Sequence, residues 1–536
     1  ALKLAGDGPD LPHMVKACAT ILRLGGAARA NVFTRIMLAM FGQLPWHAVS
    51  FVPVEIVLLP RWFFFHLHKV SYWSRTVMVP LSILYTFKAQ ARNPKKVSIA
   101  ELFKSDPWKE RGYFPTRSFL SRILLLLDRL GLKLYPLFPR WLRRRALEKA
   151  EKWIVERLNG AGGLGAIFPA MVNACEALEL LGYGADDPLV VKEKRAIDEL
   201  LVVQDESAYC QPCVSPVWDT VWACLALQEC GGAQSGAVAQ QALAWLADKQ
   251  LCDAPQDWSF NRPNVRGGGW PFQFFNSHYP DLDDTAAVAY AMCRNGASRF
   301  NHQIERAVEW ICGMQSKNGG FASFDADNDY THLNQIPFAD HGALLDPPTE
   351  DVSARCLMLF ARARITPEAT TVKTRCLDYL LRTQEPDGCW YGRWGTNYIY
   401  GTWSVLMAFE EAGIDAGHET VRRAASWLQS VQRADGGWAE TCDSYFEPSL
   451  RGQGERSTSF HTAWAVLGLI SAGEAHSQAA RRGVDFLLRT QQANGLWSDP
   501  DFNAPGFPRV FYLKYHGYDK YFPLLALARY RNAIKT

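Results

Sequence analysis

"RCLDYLLRTQEPDGCW" (Arg375 to Trp390) shows a pattern that recurs along the chain and decides the fold. A basic residue begins a short amphipathic helix, a Gln ends it, and a Gly-containing turn leads to a Trp six positions after that Gln. The pattern returns in RAASWLQSVQRADGGW (Arg423 to Trp438), in RGVDFLLRTQQANGLW (Arg482 to Trp497) and in RAVEWICGMQSKNGGF, with Phe321 in the Trp position. Such repeats are typical of stacked units, because one unit alone cannot bury its apolar face.

Two further segments resemble the repeat less closely. ALAWLADKQLCDAPQDW has a longer turn, and in KAEKWIVERLNGAGGLG Leu158 and Leu164 occupy the Gln and Trp positions. Apolar segments between the copies, such as FHTAWAVLGLISAG, have helical periodicity and end in Gly, as helices often do. We therefore predict an all-α fold of helix pairs stacked into rings or solenoids. Each Gln amide is expected to cap a neighbouring helix end while the Trp stacks on it.

The length and composition limit the classes of protein that fit. With 536 residues the chain is predicted to form two domains, and its 19 Trp are an unusually large number of indole rings. A net charge of +3 from 57 basic and 54 acidic residues argues against nucleic acid as a partner. The 13 Cys are scattered in apolar contexts, which indicates buried thiols in a reducing compartment. Cys210 and Cys213 have the spacing of half a zinc site, but no second half is recognisable.

No signal peptide is recognisable, and the first Met is Met14, so we expect the natural start of the chain to be absent.

Residues 117–145 are apolar, but charged residues and Pro136 and Pro139 interrupt them, so their apolar runs are too short to span a bilayer. Their Arg and Lys rim predicts a helix lying in one leaflet, and the alternative is a core helix followed by a solvated basic turn. Residues 51–67 are also apolar, but Pro53 and Pro60 favour a buried packing segment.

The segment YPDLDDTAAVAY places Asp281, Asp283 and Asp284 immediately before an apolar helix. Carboxylates this close cannot all ionise cheaply, so one of them is expected to hold a proton at neutral pH and to act as a general acid. The alternatives are a helix N-cap, which would explain Asp281 or Asp284 alone, and a metal site whose further ligands the sequence does not identify. DADND (residues 325–329) lacks the Gly and the closing Glu of a calcium loop.

These motifs together carry a resemblance to a known family. The motifs are DLDDTA, the Gln–Trp repeats, SPVWDT, DPPTEDVSARC, GRWGTNYIYGT and GFPRVFYLKYHGY. With all of them in one chain, the sequence resembles the bacterial squalene–hopene cyclases along essentially its whole length. The resemblance implies two α/α-barrel domains, predicted here as residues 1–212, with the membrane-contact helix, and residues 213–536, with the DLDD motif. It also implies a monotopic protein on the cytoplasmic face of the bacterial inner membrane, which takes squalene from lipid and uses no metal or redox cofactor. A homodimer is a further prediction.

The resemblance implies roles for individual residues. Asp283 would protonate the terminal alkene of squalene, Asp281 and Asp284 would hold and tune it, and Asp351 would belong to the surrounding polar network. Cationic polycyclisation would then give hopene, or hopanol when water adds. Aromatic faces stabilise such cations without trapping them, although any single ring is more often a packing residue. The lining residues implied in this way are Trp73, Phe168, Trp218, Phe272, Phe324, Trp394, Tyr400, Phe507, Phe511, Tyr515 and Tyr518.

Three positions depart from the family pattern. Arg355 stands where a His often partners the acid, Phe324 stands where a Tyr is common, and Phe168 stands where a Gln that helps to hold the terminating water is expected. An Arg beside the trio would stabilise the conjugate base and give a stronger acid, but it cannot itself relay a proton.

Other functions remain open at the level of sequence. A class II diterpene cyclase also uses a DxDD acid but would need a basic pocket for a diphosphate. A sterol-forming oxidosqualene cyclase generally has a less carboxylate-rich motif. A non-enzymatic helical-repeat membrane scaffold would use the acidic trio only as a helix cap, and replacement of Asp283 by Asn would leave its binding of partners unchanged.

Overall fold

The computed structural model describes residues 1–116, 118–252 and 256–535, which form two compact units. The first unit consists of residues 1–201 and 330–345, and the second of residues 202–329 and 346–536. The sequence prediction divided the chain after residue 212 and did not foresee the separate segment 330–345. Side chains hold that segment in the first unit: Arg35 forms an ion pair with Asp340 at 2.7 Å, and Trp73 Nε1 donates to the carbonyl of Ala343 at 2.6 Å. Contacts of this kind leave no periodic pattern in a sequence.

The first unit is helical. Helix α4 is almost entirely buried and packs against α6 and α7, while α8 packs against α7. The helices of this unit are α1 (Leu2–Ala5), α2 (Pro12–Arg23), α3 (Val32–Met40), α4 (Tyr72–Phe87), α5 (Phe119–Leu134), α6 (Arg140–Glu156), α7 (Phe168–Leu181) and α8 (Pro188–Asp198).

The second unit contains the remaining helices. They are α9 (Pro216–Cys230), α10 (Ala233–Ala247), α11 (Leu282–Arg294), α12 (Asn301–Gly313), α13 (Glu350–Arg362), α14 (Pro367–Arg382), α15 (Tyr398–Glu411), α16 (Glu419–Ser430), α17 (Ser459–Ser471), α18 (Gln478–Thr490) and α19 (Tyr518–Ala533). Four short strands form two two-stranded sheets: β1 (Leu201–Val203) with β2 (Ala208–Cys210), and β3 (Ala504–Phe507) with β4 (Phe511–Leu513). Strands β3 and β4 pair antiparallel, with Ala504 opposite Leu513.

Six helices of the second unit form a closed inner ring. Helices α9, α11, α13, α15, α17 and α19 each contact the next, and α19 returns to contact α9. Helices α10, α12, α14, α16 and α18 each pack against the preceding inner helix. The inner helices α15 and α17 are buried on nearly every side, whereas α16 and α18 bury one face. This is an α/α barrel, and the predicted all-α fold of stacked helix pairs is confirmed.

The Gln and Trp of the repeat form hydrogen bonds with backbone carbonyls, and their roles differ from the predicted ones. Gln384 Nε2 donates to the carbonyl of Gly388 at 2.8 Å and to that of Thr420, in the next outer helix, at 2.9 Å. The indole Nε1 of Trp390 donates to the carbonyl of Leu380 at 2.8 Å. That carbonyl lies in the last turn of α14, where backbone acceptors lack helical partners. The indole therefore caps its own helix, and the amide links one repeat to the next.

The turn between this Gln and Trp requires glycine. Gly388 has φ of 103°, and a Cβ at this position would lie 2.7 Å from the carbonyl oxygen of Arg423. Gly436 repeats the arrangement, with φ of 93° and the same distance to the carbonyl oxygen of Arg482. A side chain would thus be strained by the backbone conformation and would push the next outer helix away.

The predicted membrane-contact segment is not one helix. Helix α5 ends at Leu134, a 3-10 turn spans Tyr135–Leu137, and α6 begins at Arg140, after Pro139; Arg117 lies outside the described residues. The prolines separate the two helices because proline cannot continue a preceding helix. The large apolar side chains exposed on this segment are Phe119, Leu120, Ile123, Leu126, Leu127, Leu130, Leu134, Leu137 and Trp141. Among the described residues, no helix has both the length and the apolar character needed to cross a bilayer.

Residues 51–67 are buried only in part. Val54, Val57 and Phe65 are buried as expected, but Trp62 is 82% exposed and Phe64 is 42% exposed. The prediction of a buried packing segment is therefore wrong for the tip of this segment. Trp62 lies within a turn in which the Phe63 amide donates to the Pro60 carbonyl at 3.0 Å, and Phe64 follows that turn.

Candidate active site

The acidic trio lies at the N-terminus of α11, in the inner ring of the second unit. Asp281 is the N-cap, and its Oδ1 accepts the backbone N–H of Asp283 at 2.7 Å and of Asp284 at 3.2 Å. The Asp281 amide donates to the Trp270 carbonyl at 2.7 Å, which fixes the start of the helix. The N-cap alternative therefore describes the geometry of Asp281, but it leaves the side chains of Asp283 and Asp284 unexplained.

All three carboxyl groups are buried, and their pKa values are raised accordingly. Asp283 is 5% exposed and Asp284 is 1% exposed. Burial raises the pKa of Asp283 to about 6, against the opposing effect of the Arg355 charge. Burial and the neighbouring acidic groups raise the pKa of Asp281 and that of Asp284 well above the usual value. The Oδ1 of Asp284 has no hydrogen-bond partner among the described residues, which agrees with a neutral carboxyl group.

Arg355 on α13 forms the principal polar contact of Asp283. Its Nε donates to Asp283 Oδ1 at 3.1 Å, and its Nη2 donates to the Tyr400 hydroxyl at 2.9 Å and to Ser404 Oγ at 3.3 Å. Within the described part of the chain, Nη1 has no hydrogen-bond partner. The guanidinium carbon also lies 4.9 Å from the centre of the Trp222 ring. Arg355 is thus a buried cation held between one carboxyl group and aromatic faces.

Asp351 is occupied by local hydrogen bonds. Its Oδ1 accepts from Thr349 Oγ1 at 2.6 Å and from the Val352 amide at 3.0 Å. Its Oδ2 accepts from the amides of Arg393 and Trp394 at 2.9 Å and 2.8 Å. The charge of Asp351 raises the pKa of Asp283, so its electrostatic influence reaches the trio without a direct contact. Its direct effect is to fix the backbone that carries the Trp394 ring.

Several rings of the predicted lining form one connected set. Trp218 Nε1 donates to the Tyr518 hydroxyl at 2.9 Å, and Tyr518 stacks on Tyr515 with ring centres 4.9 Å apart. Phe272 meets the edge of Tyr515 at 6.3 Å. Tyr400 joins the set through Trp464, whose ring centre lies 4.9 Å from that of Tyr400 and 5.7 Å from that of Tyr518.

The other predicted rings pack in pairs or lie in the first unit. Phe324 and Trp394 pack edge to face at 6.5 Å. Phe507 and Phe511 form a pair at 6.4 Å on β3 and β4, where Phe511 is 41% exposed. In the first unit, Trp73 is buried on α4, and Phe168 is an exposed residue at the start of α7.

The structure also places residues at the site that the sequence reasoning missed. Trp222 and Trp403 lie beneath the guanidinium of Arg355, and Trp222 follows Trp218 by one helical turn, which is a usable signal. Asp346 accepts the backbone amides of Ser323, Phe324 and Asp325 at 3.2, 2.8 and 2.9 Å. Because the Leu282 amide donates to the Ser323 carbonyl at 2.8 Å, this loop also supports the acidic motif.

Comparison with known proteins gives a consistent family assignment. Family models of the squalene-hopene cyclase N-terminal and C-terminal domains match residues 1–206 and 214–532. The whole chain aligns with a protein named probable squalene–hopene cyclase from Sinorhizobium fredii at 50% identity, covering 84% of that protein. It aligns with squalene–hopene cyclases from Bradyrhizobium diazoefficiens at 49% identity and Zymomonas mobilis at 47%, again over the whole chain and over 82% and 83% of those proteins. The chain belongs to the squalene–hopene cyclase family.

The site of this squalene–hopene cyclase family member has the parts that proton-initiated chemistry needs. A carboxyl group with a pKa of about 6 is buried from water, so about one molecule in ten carries a proton at pH 7, far more than for an ordinary Asp. The faces of Trp218, Trp222, Tyr400 and Trp403 already surround a cation, because the Arg355 guanidinium lies 4.9 to 5.8 Å from their ring centres. Among the described residues, no three His, Cys, Asp or Glu side chains are grouped as a metal site would require.

Proposed function

We propose that the protein cyclises squalene to hopene, or to hopanol when water captures the final cation. The observation that carries the proposal is the contact of the buried Asp283 carboxyl with Arg355, amid aromatic faces. The proton of Asp283 passes to the terminal alkene, and the resulting cation is consumed by the next double bond in each ring closure. Loss of a proton at the end gives an isomer of the substrate, and addition of water gives the alcohol.

Asp281 and Asp284 support the donor in different ways. The Asp281 carboxyl accepts the amides of Asp283 and Asp284, and so it fixes the backbone from which the donor projects. Asp284, with its raised pKa, stays protonated and keeps a second negative charge away from the donor.

Arg355 adjusts the strength of the acid. Its positive charge opposes the effect of burial on the pKa of Asp283 and stabilises the carboxylate that remains after proton transfer. Asp351 acts through position, because it fixes the turn that carries Trp394. The rings of Trp218, Tyr400, Tyr515 and Tyr518 present faces of negative potential that stabilise cationic intermediates.

The same proposal includes attachment to a membrane. Squalene is delivered from lipid, and the exposed apolar residues of α5 offer a surface that can enter one leaflet at the cytoplasmic face of the bacterial inner membrane. Exposed Arg140, Arg144 and Arg145 at the start of α6 add positive charge beside it. The predicted homodimer stays a prediction, which light scattering in detergent would test.

The deciding experiment is incubation of the detergent-solubilised, full-length protein with squalene, followed by mass spectrometry of the neutral lipids. We expect hopene, hopanol or both. Recovery of unchanged squalene from folded protein would overturn the proposal.

A further inference from the structure

A basic pocket of about 640 Å³ lies in the first unit, between α6 and the end of the 3-10 helix Val54–Leu58. Its α6 residues follow one another at helical spacing, so they share one face of the helix. The opposite side of α6 buries Ala146, Ala150 and Ile154 in the core, which holds the pocket face outward. The lining consists of Leu58, Trp141, Leu142, Arg145, Glu148, Lys149 and Lys152.

The charges in this pocket are largely uncompensated. Arg145 is exposed and forms no ion pair within the described part of the chain. Lys149 Nζ donates to the backbone carbonyl of Val57 at 2.6 Å, which uses a neutral acceptor and leaves its charge unpaired. Among the described residues, the ion pair of Lys152 is an exposed i,i+4 contact with Glu156 at 3.7 Å, which contributes little. Three cations thus face a single lining carboxylate, that of Glu148.

The positive charge extends to the loop that follows Leu58. Burial lowers the pKa of His66, and the charges of Lys149 on α6 and of Arg61, Lys69 and Arg75 lower it further. These cations therefore lie close enough to act on one imidazole. Arg61, which is exposed, and Lys149 add to Arg145 and Lys152 and make this side of the unit attractive to an anion.

The rim of the pocket is apolar and aromatic. Trp141, which lines the pocket, is 66% exposed, and Leu137 is exposed in the turn before α6. Leu58 also lines the pocket, and the loop that follows it in sequence carries two exposed rings, Trp62 and Phe64. Trp side chains with an apolar body and a polar N–H are favoured at the boundary between headgroups and acyl chains. An apolar rim contributes nothing to the binding of a free anion, whereas it can contact the apolar part of a lipid.

We propose that this pocket binds the phosphate of an anionic membrane phospholipid, with Arg145 and Lys152 on the phosphate and Trp62 and Trp141 at the level of the headgroups. The inference rests on the membrane attachment proposed above and adds a ligand class and a defined site to it. The alternative is diffuse attraction, in which every exposed cation of α6 contributes equally.

Arg144 offers a matched control. It is the neighbour of Arg145 on α6 and is exposed, but it does not line the pocket. Arg144→Ala and Arg145→Ala remove the same charge from adjacent positions. Diffuse attraction predicts equal effects, and a defined site predicts unequal ones.

The test is flotation of the full-length protein with vesicles of phosphatidylcholine alone and with added phosphatidylglycerol. We expect tighter binding to the anionic vesicles and a loss of about fivefold for Arg145→Ala and for Lys152→Ala, since each would lose a cation in contact with the phosphate. The loss for Arg144→Ala should be much smaller, because Arg144 does not line the pocket. Melting temperatures of the variants identify any that fail to fold, and Arg145→Gln then replaces a misfolded Arg145→Ala.

Several outcomes would overturn the proposal. Equal losses for Arg144→Ala and Arg145→Ala would establish diffuse attraction. Equal binding to both vesicle types would exclude an anionic phospholipid as the ligand. Binding of inorganic phosphate that Arg145→Ala abolishes, together with vesicle binding that Arg145→Ala leaves unchanged, would identify a free-phosphate site instead of a lipid site. Absence of binding to any vesicle would overturn membrane attachment as well, whereas turnover of squalene in detergent is measured separately and tests only the enzymatic proposal.

Discussion

Arg355 Nε donates a hydrogen bond to Asp283 Oδ1 over 3.1 Å, and both side chains are buried. A permanently charged guanidinium beside the acid has two opposite consequences. It lowers the pKa of Asp283, which makes the proton easier to transfer, and it reduces the fraction of the acid that is protonated at a given pH. Burial and the charge of Asp351 act in the other direction. The strength of the acid therefore depends on the balance around this one contact.

Replacement of Asp283 by Asn is expected to lower squalene turnover about 10³-fold or more, because the amide has no acidic proton to give. Product formation measured by mass spectrometry of neutral lipids checks this. Asp378→Asn, at an exposed position on α14, makes the same chemical change away from the site and should leave turnover unchanged. Substantial activity in a folded Asp283→Asn variant would show that another group donates the proton.

Replacement of Arg355 by Gln is expected to raise the pKa of Asp283 above about 6, since the main opposing charge is removed. The reaction needs the protonated acid, so turnover falls as pH rises through this pKa, and in the variant the fall should move to higher pH. The maximal rate should be lower, because a weaker acid gives up its proton less readily.

Turnover measured between about pH 5 and pH 9 reports both effects. Arg364→Gln, at an exposed position just after α13, is the control and should keep the wild-type profile. A pH profile that does not move in Arg355→Gln would mean that this contact does not set the acid strength.

Replacement of Asp284 by Asn is expected to reduce the loss of stability at high pH. The pKa of Asp284 is raised in the folded protein, so the folded state binds a proton that the unfolded chain has released, and stability falls as pH rises above the usual carboxyl value of about 4. A neutral amide removes that dependence. The melting temperature of the variant relative to wild type should therefore increase from about pH 5 to pH 8, and a constant difference would contradict a neutral Asp284.

The repeat contacts allow a matched test of stability. Gln432 Nε2 donates to the Gly436 carbonyl at 2.8 Å and to the Ala479 carbonyl of the next outer helix at 2.9 Å. In the part of the chain that the structure describes, Gln491 Nε2 donates to the Gly495 carbonyl alone, at 2.8 Å. With about 1 kcal/mol for each hydrogen bond, Gln432→Ala should lower the free energy of unfolding by about 2 kcal/mol and Gln491→Ala by about 1 kcal/mol or less. Urea unfolding followed by circular dichroism measures both, and equal losses would mean that the link between repeats contributes nothing.

The helix pairs could be predicted from the sequence because each repeat is local. The helix, its closing Gln, the Gly of the turn and the Trp lie within sixteen residues, so RCLDYLLRTQEPDGCW shows the whole unit at once. The position of Asp281 as an N-cap is similarly local, since it accepts amides two and three residues ahead.

Other features could not be predicted because they depend on contacts between distant residues. Asp346 binds the amides of residues 323–325, and nothing in its local sequence indicates those partners. The exposed tip, residues 61–64, contains the same types of apolar residue as the buried positions around it. Composition alone therefore could not show that Trp62 is exposed and Phe65 buried. Hydrophobicity predicts where burial is favourable, but the turn after Pro60 decides which side chains reach the core.

The exposed apolar face of α5 gives the last prediction. Leu126 is 69% exposed, and a Glu at this position would have to carry a charge into the acyl region if α5 enters a leaflet. Leu126→Glu should therefore lower vesicle binding about tenfold or more, while its melting temperature stays near that of wild type because Leu126 makes few core contacts. Leu488→Glu, at an exposed position on α18, introduces the same charge elsewhere and should change binding little. If Leu126→Glu binds vesicles as well as wild type does, α5 does not enter the membrane, and its apolar face must serve another contact.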